Sequence, residues 1–297
     1  MFNSSYIANK EAIMASEKWI IHPGETRVID VDGITRLKAG LVGGQIDIVG
    51  HDEDHVRVEV HSVAVKELRI EVDGTELEID HPQVRWDNFI KTFVNVGSSG
   101  PRAEISVAVP RRVALSLGVV SASALVAGLS EDATINTVSG DVLVDGLIGD
   151  LNTHAVSGDV QVRGLDGDFS SDIVSGDIAV AGRVHRTDIN TVTGSVVIDA
   201  EGPLQQAGVN AVSGSVTLRI DDEYPARYNV HTLSGRVQVD GVSRSKNYDG
   251  HAGALSGMFA EVRANTVSGD ITVLRRGGVA PQAEVDAEVE WPNGGEE

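Results

Sequence analysis

Three sets of carboxylate and histidine side chains have the types and spacing that could do chemistry. The first set follows a recurring Ser-Gly pair, and its members are Asp141, Asp159, Asp177 and Asp270. Stacked at strand spacing, such oxygens could bind Ca²⁺. However, the Gly-Gly-x-Gly-x-Asp repeat of calcium-binding β-rolls is absent, and Ser195, Ser215 and Arg236 interrupt the column. We therefore interpret these carboxylates as solvated turn residues.

The second set is His51-Asp-Glu-Asp-His55, in which two histidines flank three acids. It lies between one strand-like segment that ends near Val49 and another that starts near Val56, so it is expected at the tip of a hairpin. A metal site needs at least three converging ligands. A polar turn explains this segment more simply, and the sequence predicts no metal site here.

The third set centres on Asp172, which falls between His154 and Asn190 in a polar column of the repeats described below. Some β-helices are polysaccharide lyases or hydrolases, and Asp172 is the one candidate for such a role. The sequence has no Gly-x-Ser-x-Gly elbow, no phosphate-binding Gly-rich loop and no His-Glu-x-x-His motif. We therefore predict a protein that is not an enzyme, with no catalytic, cofactor-binding or metal-ligating residue and no cofactor.

These side chains belong to a short repeat whose clearest copies read Val-Ser-Gly-Asp-Val-x-Val. Its hydroxyl residue recurs at Ser139, Ser157, Ser175, Thr193, Ser213, Ser234 and Ser268, in steps of 18, 18, 18, 20, 21 and 34 residues. One step before Ser139 lies Ser121, in a degenerate copy. A period near 18 is too short for a propeller blade. It predicts an all-β fold, a parallel β-helix or β-solenoid of about eight 18-residue coils that bury a core only when stacked.

Three positions of the repeat are apolar in nearly every copy, and we predict that all three point into the core. Two of them, such as Val142 and Val144, follow the corner and alternate as a strand does. The third precedes the hydroxyl and comprises Val120, Val138, Val156, Val174, Val192, Val212, Leu233 and Val267. The Ser-Gly pair between them is expected to form a corner, because glycine accepts a positive φ.

A polar ladder lies three residues before the hydroxyl and comprises Asn136, His154, Asp172, Asn190, Asn210, His231 and Asn265. At a coil corner, such side chains can hydrogen-bond the backbone of neighbouring coils.

The sequence divides into four parts. Residues 1–18 are expected to be a disordered extension, 19–117 a strand-rich N-terminal cap, 118–276 the solenoid, and 277–297 a disordered acidic tail. In the cap, a hairpin is predicted over residues 68–80 with a turn at Asp73-Gly74, and a short helix over 86–93. The insertion at residues 243–259 is either a binding element or a lid over the solenoid side.

Composition restricts the partners. The formal net charge of −20 disfavours nucleic acid and anionic lipid, and no apolar run is long enough for membrane insertion. There are no cysteines and no signal-peptide pattern, so a cytoplasmic location is expected. A protein partner or self-association is expected, and carbohydrate is possible.

The repeat, at intervals near 18, resembles that of the bacterial putative-adhesin family of uncharacterised β-solenoid domains. The segments Gly-Gly-Gln-Ile-Asp-Ile-Val-Gly-His51 and Leu77-Glu-Ile-Asp-His-Pro are similar to actinobacterial members, and the resemblance covers roughly residues 19–275. It implies the solenoid fold, an association with the cell envelope or stress-response operons, and no catalytic motif. Bactofilins, cytoskeletal β-helices that polymerise end to end, are a looser analogy.

Together these observations favour a non-enzymatic structural or interaction protein, a scaffold or binding module, acting through the solenoid side and the 243–259 loop. The alternative is an envelope- or carbohydrate-binding adhesin displayed by an unrecognised route. A polysaccharide-active enzyme ranks last.

Overall fold

The computed structural model describes residues 16–81 and 100–277, which form strands joined by turns and contain no helix. The N-terminal strands are β1 (Glu17–Ile21), β2 (Arg27–Asp32), β3 (Arg36–His51), β4 (His55–Ala64), β5 (Leu68–Asp73), β6 (Glu76–Asp80) and β7 (Arg102–Pro110). The predicted helix over 86–93, the residues before 16 and the tail after 277 lie outside the described residues.

The repeat region contributes fifteen further strands, which pair mainly in parallel. They are β8 (Ala114–Ala127), β9 (Ala133–Thr137), β10 (Val142–Asp145), β11 (Leu151–Ser157), β12 (Val160–Ser175), β13 (Ile178–Thr193), β14 (Val196–Ala200), β15 (Gln206–Ser213), β16 (Val216–Asp221), β17 (Ala226–Ser234), β18 (Val237–Val239), β19 (Val242–Arg244), β20 (Asn247–Ala252), β21 (Ala260–Ser268) and β22 (Ile271–Arg276).

The N-terminal strands cover the first layer of the solenoid. Strand β3 pairs in parallel with β8 along almost its whole length, and β6 and β7 pair with its two halves on the other side. Strands β1, β2, β4 and β5 then add antiparallel strands outside. The predicted hairpin is present, with Asp73 opposite Glu76 and a positive φ at Gly74.

The repeats stack in two parallel ladders that meet at the Ser-Gly corner. The first ladder contains the strands after the corner and the second contains those before it, while β12 and β13 pass through both. Each repeat position pairs with the same position of the next layer, as His154 does with Asp172 and Asp172 does with Asn190. The register inferred from the 18-residue steps is therefore confirmed for these layers, although the ladders leave the predicted number of coils open.

The last repeat in the chain is not the last layer of the stack. Strand β21 pairs with β15 on one side and with β17 on the other, and β22 lies in the same way between β16 and β18. The layer of Ser268 thus lies inside the layer of Ser234. Strands β19 and β20, which come from the predicted insertion, pair antiparallel with β18 and β17 and close the outer edge. The 243–259 segment is an end cap and does not cover the solenoid side.

The core is made from alternating aliphatic residues, but one of the three predicted inward positions is wrong. Val142 and Val144 and their equivalents are buried, whereas the residue before the hydroxyl points outward in the layers from Val156 to Leu233. The residue that points inward from the same strand is one position earlier, for example Ala155, Ile173 or Thr191. The reason is the two-residue period of a strand: neighbouring residues face opposite sides, so both cannot enter the core.

Glycine is required at the corner because the layers approach closely there. A Cβ atom on Gly158 would lie 2.5 Å from the carbonyl oxygen of Gly140, and one on Gly176 would lie 2.1 Å from that of Gly158. The predicted positive φ is also present, at +123° in Gly158 and +143° in Gly176. The Ser-Gly corner is therefore confirmed in these layers, and close backbone contact adds a second reason for glycine.

Candidate functional site

The most distinctive surface is the outward side of the second ladder, which carries two parallel ridges. The amide ridge, three residues before the hydroxyl, comprises in stacking order His154, Asp172, Asn190, Asn210, Asn265 and His231. The valine ridge, one residue before the hydroxyl, comprises Val156, Val174, Val192, Val212, Val267 and Leu233. Between the ridges runs a shallow trough of about 490 Å³, whose floor includes Ile173, Thr191 and Ala211.

From Asp172 to Asn265 the amide ridge is a continuous chain of side-chain hydrogen bonds, whereas His231 at the outer end lies 2.9 Å through its Nε2 from Asn229 Oδ1. Asn265 Nδ2 donates a hydrogen bond to Asn210 Oδ1, Asn210 Nδ2 donates to Asn190 Oδ1, and Asn190 Nδ2 donates to Asp172 Oδ1. Each donor–acceptor distance is 3.0 Å. The other carboxylate oxygen of Asp172 lies 3.3 Å from His154 Nδ1. The polar ladder predicted at a corner is thus found within strands, where it bonds to itself rather than to the backbone. Each Asn in the chain keeps one N–H and part of its oxygen available to a ligand.

The valine ridge exposes aliphatic side chains that a folded chain usually hides. Val156, Val174, Val192, Val212 and Val267 are each 46–50% exposed, and Leu233 at the outer end is 73% exposed. Isolated exposed valines are ordinary, but a contiguous apolar row marks a candidate interaction surface. The sequence-based prediction that these residues enter the core is therefore wrong. The repeat pattern indicates the outward orientation, because the valine is two residues after the polar ladder and residues two apart in a strand lie on the same face.

The face is nearly neutral in a strongly acidic protein. In the six layers from His154 to His231, the outward residues one, three and five before the hydroxyl include two acids and one base, Asp172, Asp188 and Arg263. With histidine neutral, their formal charge is −1, compared with −20 for the whole chain. Like-charge repulsion between two molecules is therefore weak at this face.

The corner carboxylates bind the backbone of the neighbouring layer. Asp141 Oδ1 accepts a hydrogen bond from Asp159 N at a distance of 3.1 Å. In the same way, Asp159 Oδ1 accepts from Asp177 N at 2.9 Å, and Asp177 Oδ1 accepts from Ser195 N at 2.7 Å. Asp270 likewise accepts from Arg236 N over 2.9 Å. These contacts give the carboxylates a structural role in joining the layers.

The two histidines of His51-Asp-Glu-Asp-His55 lie at the predicted turn, between β3 and β4. Their ring centroids are 5.4 Å apart, His51 Nδ1 accepts a hydrogen bond from Glu53 N over 3.1 Å, and His55 Nδ1 lies 3.3 Å from the Glu53 carboxylate. Among residues 16–81 and 100–277, no group of three or more metal-ligating side chains could hold a metal ion. The turn is present, and the absence of a metal site stays a prediction.

Asp172, the candidate for enzymatic chemistry, lies between His154 and Asn190 as the sequence predicted. Both of its carboxylate oxygens are engaged within the amide ridge. The structure thus gives Asp172 a role in ordering the ridge, and the prediction that the chain has no catalytic residue remains untested.

Two buried groups away from this face have strongly displaced pKa values, His81 in the N-terminal cap and Tyr228 in the outermost layer. Burial lowers the pKa of His81 to about 4. In the outermost layer, burial raises the pKa of Tyr228 to about 12 and also raises the pKa of Asp240. The Tyr228 hydroxyl has no hydrogen-bond partner within the described part of the chain. Sequence reasoning missed these groups because each occurs in a single layer, outside the repeat pattern.

The comparison with protein families decides the relationship. The family described as Toastrack DUF4097 matches residues 40–274, well over half of the 297 residues. The chain belongs to the Toastrack DUF4097 family. The predicted putative-adhesin relationship is confirmed at this level, while the actinobacterial type stays a prediction. No curated protein matches the chain.

Several solved structures are similar to the chain at low identity and with TM-scores below 0.5. A putative lipid-binding protein from Parabacteroides distasonis is 18% identical with a TM-score of 0.48, and the match covers 84% of this chain and 96% of that one. A putative adhesin from Bacteroides fragilis is 13% identical with a TM-score of 0.45, covering 84% and 98%. A putative cell adhesion protein from Clostridium sporogenes is 15% identical with a TM-score of 0.32, covering 85% and 99%.

Within residues 16–81 and 100–277, no helix has the length and apolarity needed to cross a membrane.

Proposed function

We propose that this Toastrack protein is a non-enzymatic interaction module, a scaffold or binding protein, whose partner lies on the amide and valine ridges. The observation that carries the proposal is the valine ridge, six exposed aliphatic side chains in one unbroken row. Each of them keeps apolar area in water that a partner could remove, which is the main favourable term in most protein association.

The amide ridge supports the same proposal because it offers a partner hydrogen-bonding groups in fixed positions. Its side chains are held by hydrogen bonds along the ridge, so a partner would not have to order them. Binding to groups already fixed in place loses less conformational entropy. The remaining N–H donors and oxygens repeat at the layer spacing, which suits a partner with its own regularly spaced polar groups.

The charge of the face favours a protein over nucleic acid as the partner. Nucleic acid is disfavoured by the overall charge of −20. A face with a formal charge near −1 and an apolar row is instead typical of surfaces that bind another polypeptide. We further propose that the partner is met in the cytoplasm, a location supported by the absence of cysteine.

A site-specific photocrosslinker tests the proposal in the producing cell. Benzoylphenylalanine is placed at Val192 in the valine ridge or, as the matched control, at Val197 in β14, since the two side chains are 46% and 44% exposed. We expect discrete adducts from position 192 and none above background from position 197. Equal adduct patterns from the two positions would contradict a specific face.

A further inference from the structure

We propose that the partner on this face is a second copy of the same chain, with the valine ridge of each copy seated in the trough of the other. This inference rests on the proposed function, because it names the occupant of the same face. The two copies would be related by a two-fold axis parallel to the solenoid axis, so that their layers run in the same direction.

The width of the trough matches the ridge that would enter it. The amide and valine ridges are two residues apart on one strand, which places them about 6.6–6.8 Å from each other. A row of valine side chains fits between two such ridges, as side chains interdigitate between paired sheets. Both copies have the same layer spacing, so contacts formed at one layer recur at each of the six.

The symmetry follows from the positions of the ridges. A two-fold axis in the interface and parallel to the solenoid axis reverses the order of the ridges, so each valine ridge can shift into the opposing trough. A two-fold axis across the solenoid keeps the order and places valine on valine and amide on amide. Only the first arrangement fills both troughs at once.

The same arrangement brings polar groups together. The amide ridges of the two copies would lie about 10 Å apart, which equals three residues along a strand. In each copy the exposed hydroxyl row is also three residues after the amide ridge, so it would lie opposite the amide ridge of the other copy. This row comprises Ser157, Ser175, Thr193, Ser213, Ser268 and Ser234. The unused amide N–H groups would therefore face hydroxyl oxygens of the partner.

The size and charge of the face permit such a pair. Six residues along the strand and six layers across give about 20 Å by about 24 Å, or roughly 1,000 Å² for both copies together. This area lies at the lower limit of about 1,000 Å² for a specific interface and below the standard of about 1,600 Å², so a weak dimer is expected. The formal charge of −1 on the face means that two acidic chains can meet there with little charge repulsion. A single acyl chain fits less well, because the open trough would leave one side of it in water.

The first test measures mass in solution. Size-exclusion chromatography with light scattering, from about 5 to 200 μM, is expected to show a monomer–dimer equilibrium for the full chain. Val192→Asp places a carboxylate in both troughs and should weaken dimerisation at least tenfold, whereas the matched Val197→Asp should change it less than twofold. Circular dichroism melting confirms that both variants fold. A monomer at every concentration, or equal weakening by the two variants, would overturn the inference.

The second test fixes the orientation. Because the chain has no cysteine, Val174→Cys and Val267→Cys each introduce a single thiol near opposite ends of the ridge. The parallel arrangement predicts rapid oxidation of both variants to disulfide-linked dimers, because each thiol meets its own copy. A dimer in which neither variant crosslinks would overturn the arrangement.

These outcomes separate the inference from the proposed function. A monomer that still gives photocrosslinked adducts with another protein from position 192 would end the inference and leave the binding module standing. A monomer that binds phosphatidylcholine vesicles, and loses this binding in Val192→Asp, would replace the second copy with lipid. An absence of adducts from position 192 would count against both.

Discussion

The corner glycines offer the sharpest quantitative test of how the layers are held together. Gly176 has a φ of +143°, and a Cβ atom there would lie 2.1 Å from the carbonyl oxygen of Gly158 in the layer below. Real Cβ atoms essentially never approach within 3.0 Å of another heavy atom. Gly176→Ala must therefore separate the two layers by about 1 Å, or rotate the corner out of its conformation.

Two contributions set the size of the effect. A residue other than glycine held at such a φ costs about 1–3 kcal/mol. Separating the layers also weakens the backbone hydrogen bonds between them, such as Gly158 N to Ser175 O at 3.2 Å, each worth about 1 kcal/mol. We expect Gly176→Ala to destabilise the fold by about 3 kcal/mol, well above the roughly 1 kcal/mol of a typical substitution.

Thermal and urea unfolding, followed by circular dichroism, measure this loss. For a chain of this size, about 3 kcal/mol corresponds to a melting temperature lower by roughly 6–12 °C. Because repeat proteins can unfold in segments, hydrogen exchange should place the change in the layers next to Gly176.

Gly208→Ala is the matched control, because its nearest heavy atom would be 3.6 Å away and its φ lies outside the positive range. That variant should be neutral or more stable by up to about 1 kcal/mol. A loss below about 1 kcal/mol in Gly176→Ala, or an equal loss in the two variants, would refute the close-contact reasoning.

Four further predictions follow from particular contacts. Burial raises the pKa of Asp199, but hydrogen bonds from Arg219 and Arg276 outweigh burial and lower it overall. The stability that Asp199 contributes is therefore present above its unfolded pKa of about 3.9 and is lost as pH falls through its lower folded pKa. Arg276→Ala should reduce both the stability at pH 7 and this loss in acid, measured by urea unfolding across pH. Val65 has a φ of +73° and is 58% exposed, so Val65→Gly should raise stability by about 1 kcal/mol in the same assay. Because Asp159 already binds the Asp177 N–H, 5 mM CaCl₂ should leave the melting temperature unchanged, and a rise of several degrees would restore the calcium hypothesis. Cell fractionation should recover the native protein in the cytoplasm, and recovery outside the cell would overturn that location.

The repeat register could be predicted because its spacing is a property of the sequence alone. The pairing of His154 with Asp172 and of Asp172 with Asn190 follows from three successive steps of 18 residues. The orientation of the valine ridge was wrongly predicted for a different reason, because apolar residues in a repeat suggest burial even where strand alternation places them outside. Val192 is two residues after Asn190, and that parity places it outside regardless of its hydrophobicity.

The order of the outer layers could not be predicted in this way. The repeats of Ser234 and Ser268 both have apolar residues at the buried positions after the corner, Val237 and Val239 in one and Ile271 and Val273 in the other, so burial alone lets either stack on the layer of Ser213. The 34-residue step between the two repeats contains β19 and β20. The spacing of the repeats therefore does not predict whether the layer that carries this insertion lies inside the stack or at its outer end.

The need to close the open edge explains why the layers exchange places. If β17 and β18 stacked in chain order, the final layer would be β21 and β22, and its edge would present unpaired backbone groups. Because β17 and β18 lie outermost, the strands that follow them can turn back and pair antiparallel with them at once. The valine ridge is not interrupted by the exchange, since Val267 pairs into the same column between Val212 and Leu233. The chain thus caps its end and keeps a continuous face, and the most exposed residue of the ridge, Leu233, comes to lie at the capped end of the trough.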